Sequence, residues 1–290
     1  MARRGDLKPP TQLWVWHQDN GYGNPWTWSP EVDERIALNL HVSQWARDGL
    51  ITELSRHSNG RPPPPDLAQR HVVLGNGVPE SCSLDWPADR GLKVIYASDP
   101  SRGLEALLNA WPMIRAASPT AELHVYASFQ VSFALAQQQP GLPQFGKLRA
   151  LEARLAMMAR DASLGLTHHG WATQAEVIAA MKTSRIYCYP GGPMAEGYGV
   201  SLAQAKACGC LVMCPDAGAL PEVLRDDGYT FWMSPKGVSP SPHSPEVLAK
   251  LVVEQLGLWH NMAKPPVLHA SHFWPAVAQR FYTLLREEVT

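Results

Sequence analysis

The sequence has neither a charge excess of one sign nor a long apolar run. Across 290 residues, 25 Lys and Arg nearly balance 26 Asp and Glu, so the net charge is -1 at pH 7. A balanced charge supplies no general attraction for nucleic acid or for an anionic membrane surface. No apolar run reaches the roughly 18 residues that a membrane-spanning helix requires, and no apolar signal core follows the first residues. These absences favour a protein whose ligand is a small molecule, and we expect it in the cytoplasm.

Cysteine is scarce as well, with five residues whose spacing matches neither a disulfide framework nor a complete zinc-binding set. An odd number of cysteines without such spacing is typical of reduced thiols. We therefore expect Cys208, Cys210 and Cys214 to be small buried side chains rather than ligands. The neighbours His168 and His169 point to opposite faces of a predicted strand, which does not favour a shared metal ion.

The residues that are present alternate between short β-branched strands and amphipathic helices. Such alternation is typical of an α/β fold with parallel sheets. The first part of the chain contains predicted strands at 13–17, 38–42 and 71–74, with a helix at 44–54. A longer and more regular series follows, with predicted strands at 92–97, 123–127, 164–168, 185–190 and 211–214 and predicted helices at 103–115, 146–160, 174–181, 201–208, 222–225, 245–256 and 274–287.

The two series predict two Rossmann-like α/β units, separated near residues 82–90, where the periodicity lapses. We expect a reduced first unit in residues 1–85 and a complete doubly wound parallel sheet in residues 86–270. Residues 271–290 would form a closing helix. About 80 residues precede the boundary, roughly half a typical domain.

A glycine-rich turn between a buried strand and a helix is the most informative stretch. Glu196-Gly197-Tyr198-Gly199 follows the predicted strand and leads directly into the predicted helix. Free backbone amides and the positive end of the helix dipole would meet at the carboxyl edge of the sheet. The stretch therefore predicts a site for an anionic ligand such as a phosphate.

This turn and several other segments resemble the retaining nucleotide-sugar glycosyltransferases of the GT-B fold, the glycosyltransferase group-one family. The similar segments lie at predicted strand ends and helix starts, and they are more specific together than singly. They are Asn76-Gly77-Val78, Asp99-Pro100-Ser101-Arg102-Gly103-Leu104, His169-Gly170, Glu196-Gly197-Tyr198-Gly199, Ala207-Cys208-Gly209, Gly218-Ala219-Leu220-Pro221-Glu222-Val223 and Phe273-Trp274.

The resemblance implies two domains that face a cleft, with a nucleotide-diphosphate sugar held mainly by the second domain. It implies catalytic roles for three residues: Glu196 toward the sugar, Arg102 toward the diphosphate, and His17 toward the sugar from the first unit. The other expected donor-binding residues are Ser98, Gly170, Trp171, Gly197, Tyr198, Gly199, Val200 and Gln204. We expect no cofactor and no metal, because Arg102 and the helix dipole supply positive charge and no Asp-x-Asp motif occurs in a predicted loop.

Three features depart from the family pattern. Gln204 stands where the family has the second carboxylate of its Glu-seven residues-Glu motif, and an amide accepts a ribose hydrogen bond without charge assistance. Ala97 and Ser98 replace the usual Gly-Arg pair of the phosphate loop, which leaves Arg102 as its cation. The third departure is the short first unit.

Simpler explanations exist for each residue taken alone. Glu196 would be a solvated loop carboxylate, Arg102 a surface cation near a helix start, and His17 a structural histidine. Gln204 would face solvent, and Trp171 would belong to the core like most tryptophans.

The leading functional hypothesis is transfer of a hexose or similar sugar to a hydroxyl acceptor. A glycan or lipid-linked saccharide is the default acceptor; nucleic acid would enter only as an acceptor, through a modified DNA base, which the net charge does not favour. The alternatives are a non-catalytic nucleotide-binding or scaffolding protein, and a sugar-phosphate epimerase or phosphorylase that uses a similar cleft.

Overall fold

A computed structural model confirms the α/β fold with two parallel sheets. It describes residues 12–18, 30–56, 67–83, 87, 89–137, 144–191, 195–224, 230–233, 244–258 and 268–289. The expected boundary at residues 82–90 falls partly outside this set, and the domain limits remain predictions.

The first unit is a three-stranded parallel sheet. Its elements are β1 (Trp14–His17), α1 (Pro30–Asp33), β2 (Leu38–His41), α2 (Gln44–Arg56), α3 (Leu67–Arg70) and β3 (His71–Val73). The strand order is β1-β2-β3, with His17 opposite His41 and Asn39 opposite His71. The Ser43 hydroxyl accepts a hydrogen bond from the Ala46 amide at 3.0 Å and caps the start of α2.

The second unit is a six-stranded parallel sheet with helices on both faces. Its elements are β4 (Lys93–Tyr96), α4 (Leu104–Ala117), β5 (Glu122–Val125), α5 (Phe129–Gln137), α6 (Gln144–Arg160), β6 (Leu166–His168), α7 (Gln174–Lys182), β7 (Ile186–Cys188), α8 (Val200–Ala207), β8 (Leu211–Cys214), α9 (Leu220–Leu224), β9 (Thr230–Trp232) and α10 (Pro245–Leu258). The strand order is β6-β5-β4-β7-β8-β9.

Alternating side chains of the strands divide this core into two layers. Val94 and Tyr96 pack with α4 and α10, whereas Ile95, from the same strand, packs with residues of α7 and α8. The expected buried cysteines Cys208, Cys210 and Cys214 all lie in the layer of Ile95 and are fully shielded from solvent. Two elements of the second unit were not predicted: α5, and β9, whose three residues are too few to show a period.

The last helix, α11 (Trp274–Val289), packs against the first unit rather than the second. Val277 lies in a small core with Leu38 and Leu40 of β2. The guanidinium of Arg280 donates to the Leu74 carbonyl at 2.8 Å. The end of the chain therefore returns to cover the first sheet.

Gly103 sits where two loops of the second unit approach most closely. Its φ is +95°, a conformation that side chains other than hydrogen disfavour. A Cβ at this position would lie 2.6 Å from the Gly191 carbonyl oxygen, closer than atoms can pack. The loops that follow β4 and β7 can therefore pack this closely only because residue 103 is a glycine.

We predict that Gly103→Ala lowers the free energy of unfolding by about 2 kcal/mol, from backbone strain and the clash with Gly191. Urea denaturation measures this change. Gly146→Ala is the matched control, because a Cβ there meets nothing within 4 Å. The control should stabilise helix α6 by up to about 1 kcal/mol, and equal effects of the two variants would contradict the prediction.

Candidate active site

The candidate site lies at the carboxyl ends of β4 and β7, which are neighbours in the sheet. Val94 is paired with Ile186, and Ile95 with Tyr187. Because both strands run the same way, the loop after β4 and the loop after β7 leave the sheet side by side. Ligands of open α/β sheets bind at this kind of junction.

The junction brings Arg102 and Glu196 into direct contact. Nη1 of Arg102 lies 3.1 Å from Oε1 of Glu196, and both side chains keep about a quarter of their surface exposed, 28% and 20% respectively. Burial lowers the pKa of Arg102, but Glu196, Tyr189 and Asp99 outweigh that effect, so the pKa is raised above its usual value. A permanently charged guanidinium therefore faces the cleft beside a carboxylate.

Tyr189, the residue directly after β7, also contacts Glu196. Its hydroxyl donates a hydrogen bond to Oε1, the same oxygen that faces Arg102. Burial and the negative charge of Glu196 raise the pKa of Tyr189 well above its usual value, so the hydroxyl stays protonated and remains a donor. From the sequence alone, Tyr189 is predicted only as part of the strand at 185–190.

The loop after β4 is fixed by a network around Asp99. The Asp99 carboxylate accepts from the Ser101 amide at 2.9 Å and from the Ser132 hydroxyl at 2.6 Å. The Tyr187 hydroxyl donates to the Ala97 carbonyl at 2.6 Å. Ser98 is partly buried between these anchors. The backbone that carries Arg102 is therefore held before any ligand arrives.

The glycine turn and the start of α8 lie where the sequence predicted them. Gly199 has a φ of +79° and α8 begins at Val200, one residue before the predicted start. The Tyr198 hydroxyl points away from the turn and donates to the Asn76 carbonyl at 2.8 Å. Its backbone amide, and not its side chain, is thus the group that can meet a phosphate.

The backbone of Glu196 is fixed from the following loop. The Ala219 amide donates to the Glu196 carbonyl at 2.9 Å. Gly218, with a φ of +64°, lies so close that a Cβ would come within 2.5 Å of the same carbonyl oxygen. A side chain at Gly218 would displace the carboxylate.

Gln204 does not face solvent, and that simpler explanation is wrong. Its exposure is 6%, and the consecutive residues Leu202 and Ala203, which point to other sides of α8, are buried as well. Helix α8 is enclosed on nearly all sides, so it has no face exposed to solvent.

His17 lies in a buried polar cluster of the first sheet. Its Nε2 is 2.7 Å from Oδ1 of Asn39, and its ring stacks on that of His41 at 4.9 Å between centroids. The cluster extends to His71, whose Nδ1 is 2.9 Å from Nε2 of His41, and to Asp33, which accepts from His71 at 3.0 Å. The register of β1, β2 and β3 creates this cluster.

Two contacts tie the glycine turn to the first unit. The Ser43 hydroxyl donates to the Gly197 carbonyl at 2.7 Å. The Glu222 carboxylate accepts from the Gln44 and Trp45 amides at 2.8 and 3.2 Å, so it caps α2 from the second unit. Glu222, in the first turn of α9, therefore makes a contact between the two units.

A separate cleft of about 510 Å³ lies beside α7, at the ends of β5 and β6. Tyr126 and His169 stack in parallel on its wall, 4.1 Å apart, and Nε2 of His169 lies 3.0 Å from Nδ1 of His124. Trp171 stands at the rim with 71% of its surface exposed, so it is not a core residue. Gly170, with a φ of +69°, precedes it in the same loop.

The structure therefore brings together Arg102, Glu196 and the glycine turn, whereas His17 lies in the histidine cluster of the first sheet and Trp171 at the rim of the cleft beside α7. Within the residues described, no three His, Cys, Asp or Glu side chains are arranged to hold a metal ion. Nor does any helix in those ranges combine the length and apolarity required to cross a bilayer.

Two parallel-sheet units, with a glycine turn at the switch point of the second, are the architecture of the GT-B fold. Residues 93–256 match the family described as Glycosyl transferases group 1, and the chain belongs to that family.

Curated relatives include two phosphatidyl-myo-inositol mannosyltransferases. The protein from Propionibacterium freudenreichii subsp. shermanii is 24% identical over 215 residues, which are 70% of this chain and 45% of the relative. The protein from Mycobacterium tuberculosis is 27% identical over 209 residues, 66% of this chain and 48% of the relative. The chain thus spans about half the length of the curated relatives it matches.

Solved structures with the same fold include HepE of Anabaena in complex with UDP and glucose. It has a TM-score of 0.62 and 14% identity, over 95% of this chain and 72% of HepE. Sucrose-phosphate synthase of Thermosynechococcus elongatus has a TM-score of 0.58 and 15% identity, over 96% of this chain and 68% of the synthase. Identities this low establish the fold alone.

The histidine cluster makes stability depend on pH. Burial, and to a lesser degree His17, His71 and Arg47, lower the pKa of His41 to about 2. In the unfolded chain His41 has a pKa of about 6.5 and binds a proton below that pH, whereas in the folded protein it stays neutral. The free energy of unfolding therefore decreases as the pH is lowered. We predict a loss of about 2 kcal/mol between pH 7 and pH 5 from this group, measured by denaturant unfolding.

His41→Asn should remove that part of the pH dependence. The control is His269→Asn, because His269 is exposed and an asparagine can replace it as the cap of a short turn. The prediction is wrong if His41→Asn loses as much stability between pH 7 and pH 5 as the unaltered protein.

Proposed function

We propose that the protein transfers a sugar from a nucleotide-diphosphate donor to an acceptor hydroxyl, with retention of the anomeric configuration. The observation that carries the proposal is the contact between Arg102 and Glu196, beside a glycine turn that opens α8. The substrate is anionic at its diphosphate end, which suits the cation and the helix N-terminus. Its sugar end becomes cationic in the reaction, which suits the carboxylate.

The diphosphate is held by Arg102 and by the backbone amides of Tyr198, Gly199 and Val200. The guanidinium offers paired donors of the geometry that phosphate oxygens accept. The amides add the positive end of the α8 dipole. Gly197 has no side chain, so the backbone of the turn can approach the diphosphate closely. Ser98 lies opposite it, in the loop that follows β4. These groups stabilise the leaving nucleotide as the glycosidic bond breaks, and the reaction needs no metal ion.

The sugar lies against Glu196, which accepts hydrogen bonds from its hydroxyls. As the bond to the diphosphate breaks, the anomeric carbon gains positive charge, and the nearby carboxylate favours that state. His17 approaches from the first unit. Retention follows when the acceptor attacks from the face that the diphosphate leaves.

The nucleoside extends from the diphosphate site at the end of β7 toward the cleft at β6. Three strand spacings separate β7 from β6, which is about 14 Å and comparable to the length of a nucleoside diphosphate. Gly170 and Trp171 then lie beside the base, and Gln204 accepts a hydrogen bond from the ribose. The exposed indole of Trp171 supplies a stacking surface.

The acceptor is the hydroxyl of a saccharide, free or lipid-linked. Support comes from the curated relatives, whose names describe mannosyl transfer to a phosphatidyl-inositol lipid. HepE, which was crystallised with UDP-glucose, supports a nucleotide sugar as donor.

Glu196→Gln tests the proposal most directly. We predict that turnover falls at least about 100-fold, because the neutral amide no longer favours the cationic transition state, while nucleotide affinity changes little. Turnover is measured as release of nucleoside diphosphate, with and without a chelator. Glu105→Gln, at an exposed position near the start of α4, is the control.

Product NMR then gives the anomeric configuration, and inversion would rule out the retaining mechanism. Tight nucleotide binding by the unaltered protein without any turnover would instead identify a non-catalytic binding protein.

Arg102→Gln should have the complementary effect. We predict that affinity for a nucleoside diphosphate falls about tenfold or more, because a charge-assisted contact is lost. Titration calorimetry with UDP and GDP measures this affinity. Arg149→Gln, whose side chain is 59% exposed, controls for net charge. Equal affinities of the two variants would mean that Arg102 does not bind the diphosphate.

A further inference from the structure

We propose that Tyr189 is a positioning residue for Glu196. Its hydroxyl holds one carboxylate oxygen so that the other faces the donor sugar. The proposal rests on the sugar-binding role of Glu196 stated above, and it adds a residue that the glycine-turn motif does not contain.

The tyrosine is fixed at both ends. Its backbone amide donates to the Met213 carbonyl at 2.9 Å, which extends the pairing of β7 with β8 by one residue. Only 1% of its surface is exposed, and its ring lies in the core layer beneath α8. The hydroxyl therefore has a fixed position, unlike a donor on a flexible surface side chain.

The contact is selective for one oxygen. Tyr189 and Arg102 both meet Oε1 of Glu196. Within the described part of the chain, Oε2 is then the oxygen that a sugar hydroxyl meets. Two donors on one oxygen also set the rotation of the carboxylate about its last bond.

The two hydrogen-bond donors, Arg102 and Tyr189, behave differently when the nucleotide sugar binds. Arg102 is partly exposed and is the cation proposed for the diphosphate, so it divides its donors between Glu196 and the phosphate oxygens. Tyr189 is enclosed and has one proton to donate, and a buried hydroxyl without an acceptor would be unfavourable. Tyr189 is therefore the contact that keeps Glu196 oriented throughout the reaction.

Tyr187 provides a matched comparison. It lies two residues earlier, on the same face of the strand, and it is equally buried. Its hydroxyl donates to the Ala97 carbonyl and not to Glu196. Tyr187→Phe and Tyr189→Phe thus remove the same group from the same layer, but only Tyr189→Phe removes a direct hydrogen bond to the carboxylate.

The test is a double-mutant cycle on kcat for donor turnover. We expect Tyr189→Phe to lower kcat about tenfold, with the dissociation constant for the nucleoside diphosphate within about twofold of the unaltered value. In a Glu196→Gln background, Tyr189→Phe should lower kcat by less than about twofold, because an amide holds no charge for the hydroxyl to orient. Tyr187→Phe should have equal effects in both backgrounds.

The outcomes separate the two proposals. An equal effect of Tyr189→Phe in both backgrounds overturns the positioning role and leaves the glycosyltransferase proposal standing. Unchanged kcat in Tyr189→Phe, at unchanged melting temperature, also overturns it. If the unaltered protein neither binds nor turns over any nucleotide sugar, the proposed function fails first. The same kcat loss in Tyr187→Phe, accompanied by a lower melting temperature, would indicate a general packing effect instead.

Discussion

The pairing of β4 with β7 is the constraint on which the rest of the candidate site depends. From β4 the chain moves outward through β5 and β6, and it then returns to start again on the other side at β7. The two loops at this reversal are not covered by a crossover helix, so they leave a crevice. Arg102 comes from one loop and Glu196 from the other, although 94 positions separate them in the sequence. Without the reversal, the cation and the carboxylate would not meet.

The glycine turn is held from both units, and this links the cleft to the small first sheet. Ser43 and Asn76 contact the turn through Gly197 and Tyr198, while Glu222 closes the first turn of α2. The Gln44 and Trp45 amides lie at a helix start, where the helix itself supplies no acceptor, and Glu222 supplies one from the other unit. The orientation of the two units therefore depends on the same residues that shape the phosphate-facing turn, so a change at the interface alters the site as well.

Local sequence patterns predicted the elements that repeat with a clear period and the turn that carries Glu196. They could not predict contacts made by side chains from distant segments. The stack of His17, His41 and His71 needs the register of three strands. The contact of Tyr189 with Glu196 needs a loop that folds back over its own strand. Only the alternation along β7, with tyrosines at 187 and 189 before Pro190, indicated that two phenols share one face. The burial of Gln204 follows from the packing of α8 against the sheet, which composition does not show.

The buried position of Gln204 also gives a physical reason for its departure from the family pattern. At 6% exposure, an ionised carboxylate would lose most of its hydration in the unliganded protein. An amide carries no charge, so its burial costs less when its polar atoms are hydrogen-bonded. In the proposed donor complex the amide contacts the ribose without charge assistance, but its burial costs the fold less than burial of a carboxylate would. Arg102 and Glu196 contact each other directly. Under the proposed function, the free energy of donor binding therefore goes to reorienting Arg102 rather than to ordering the loops.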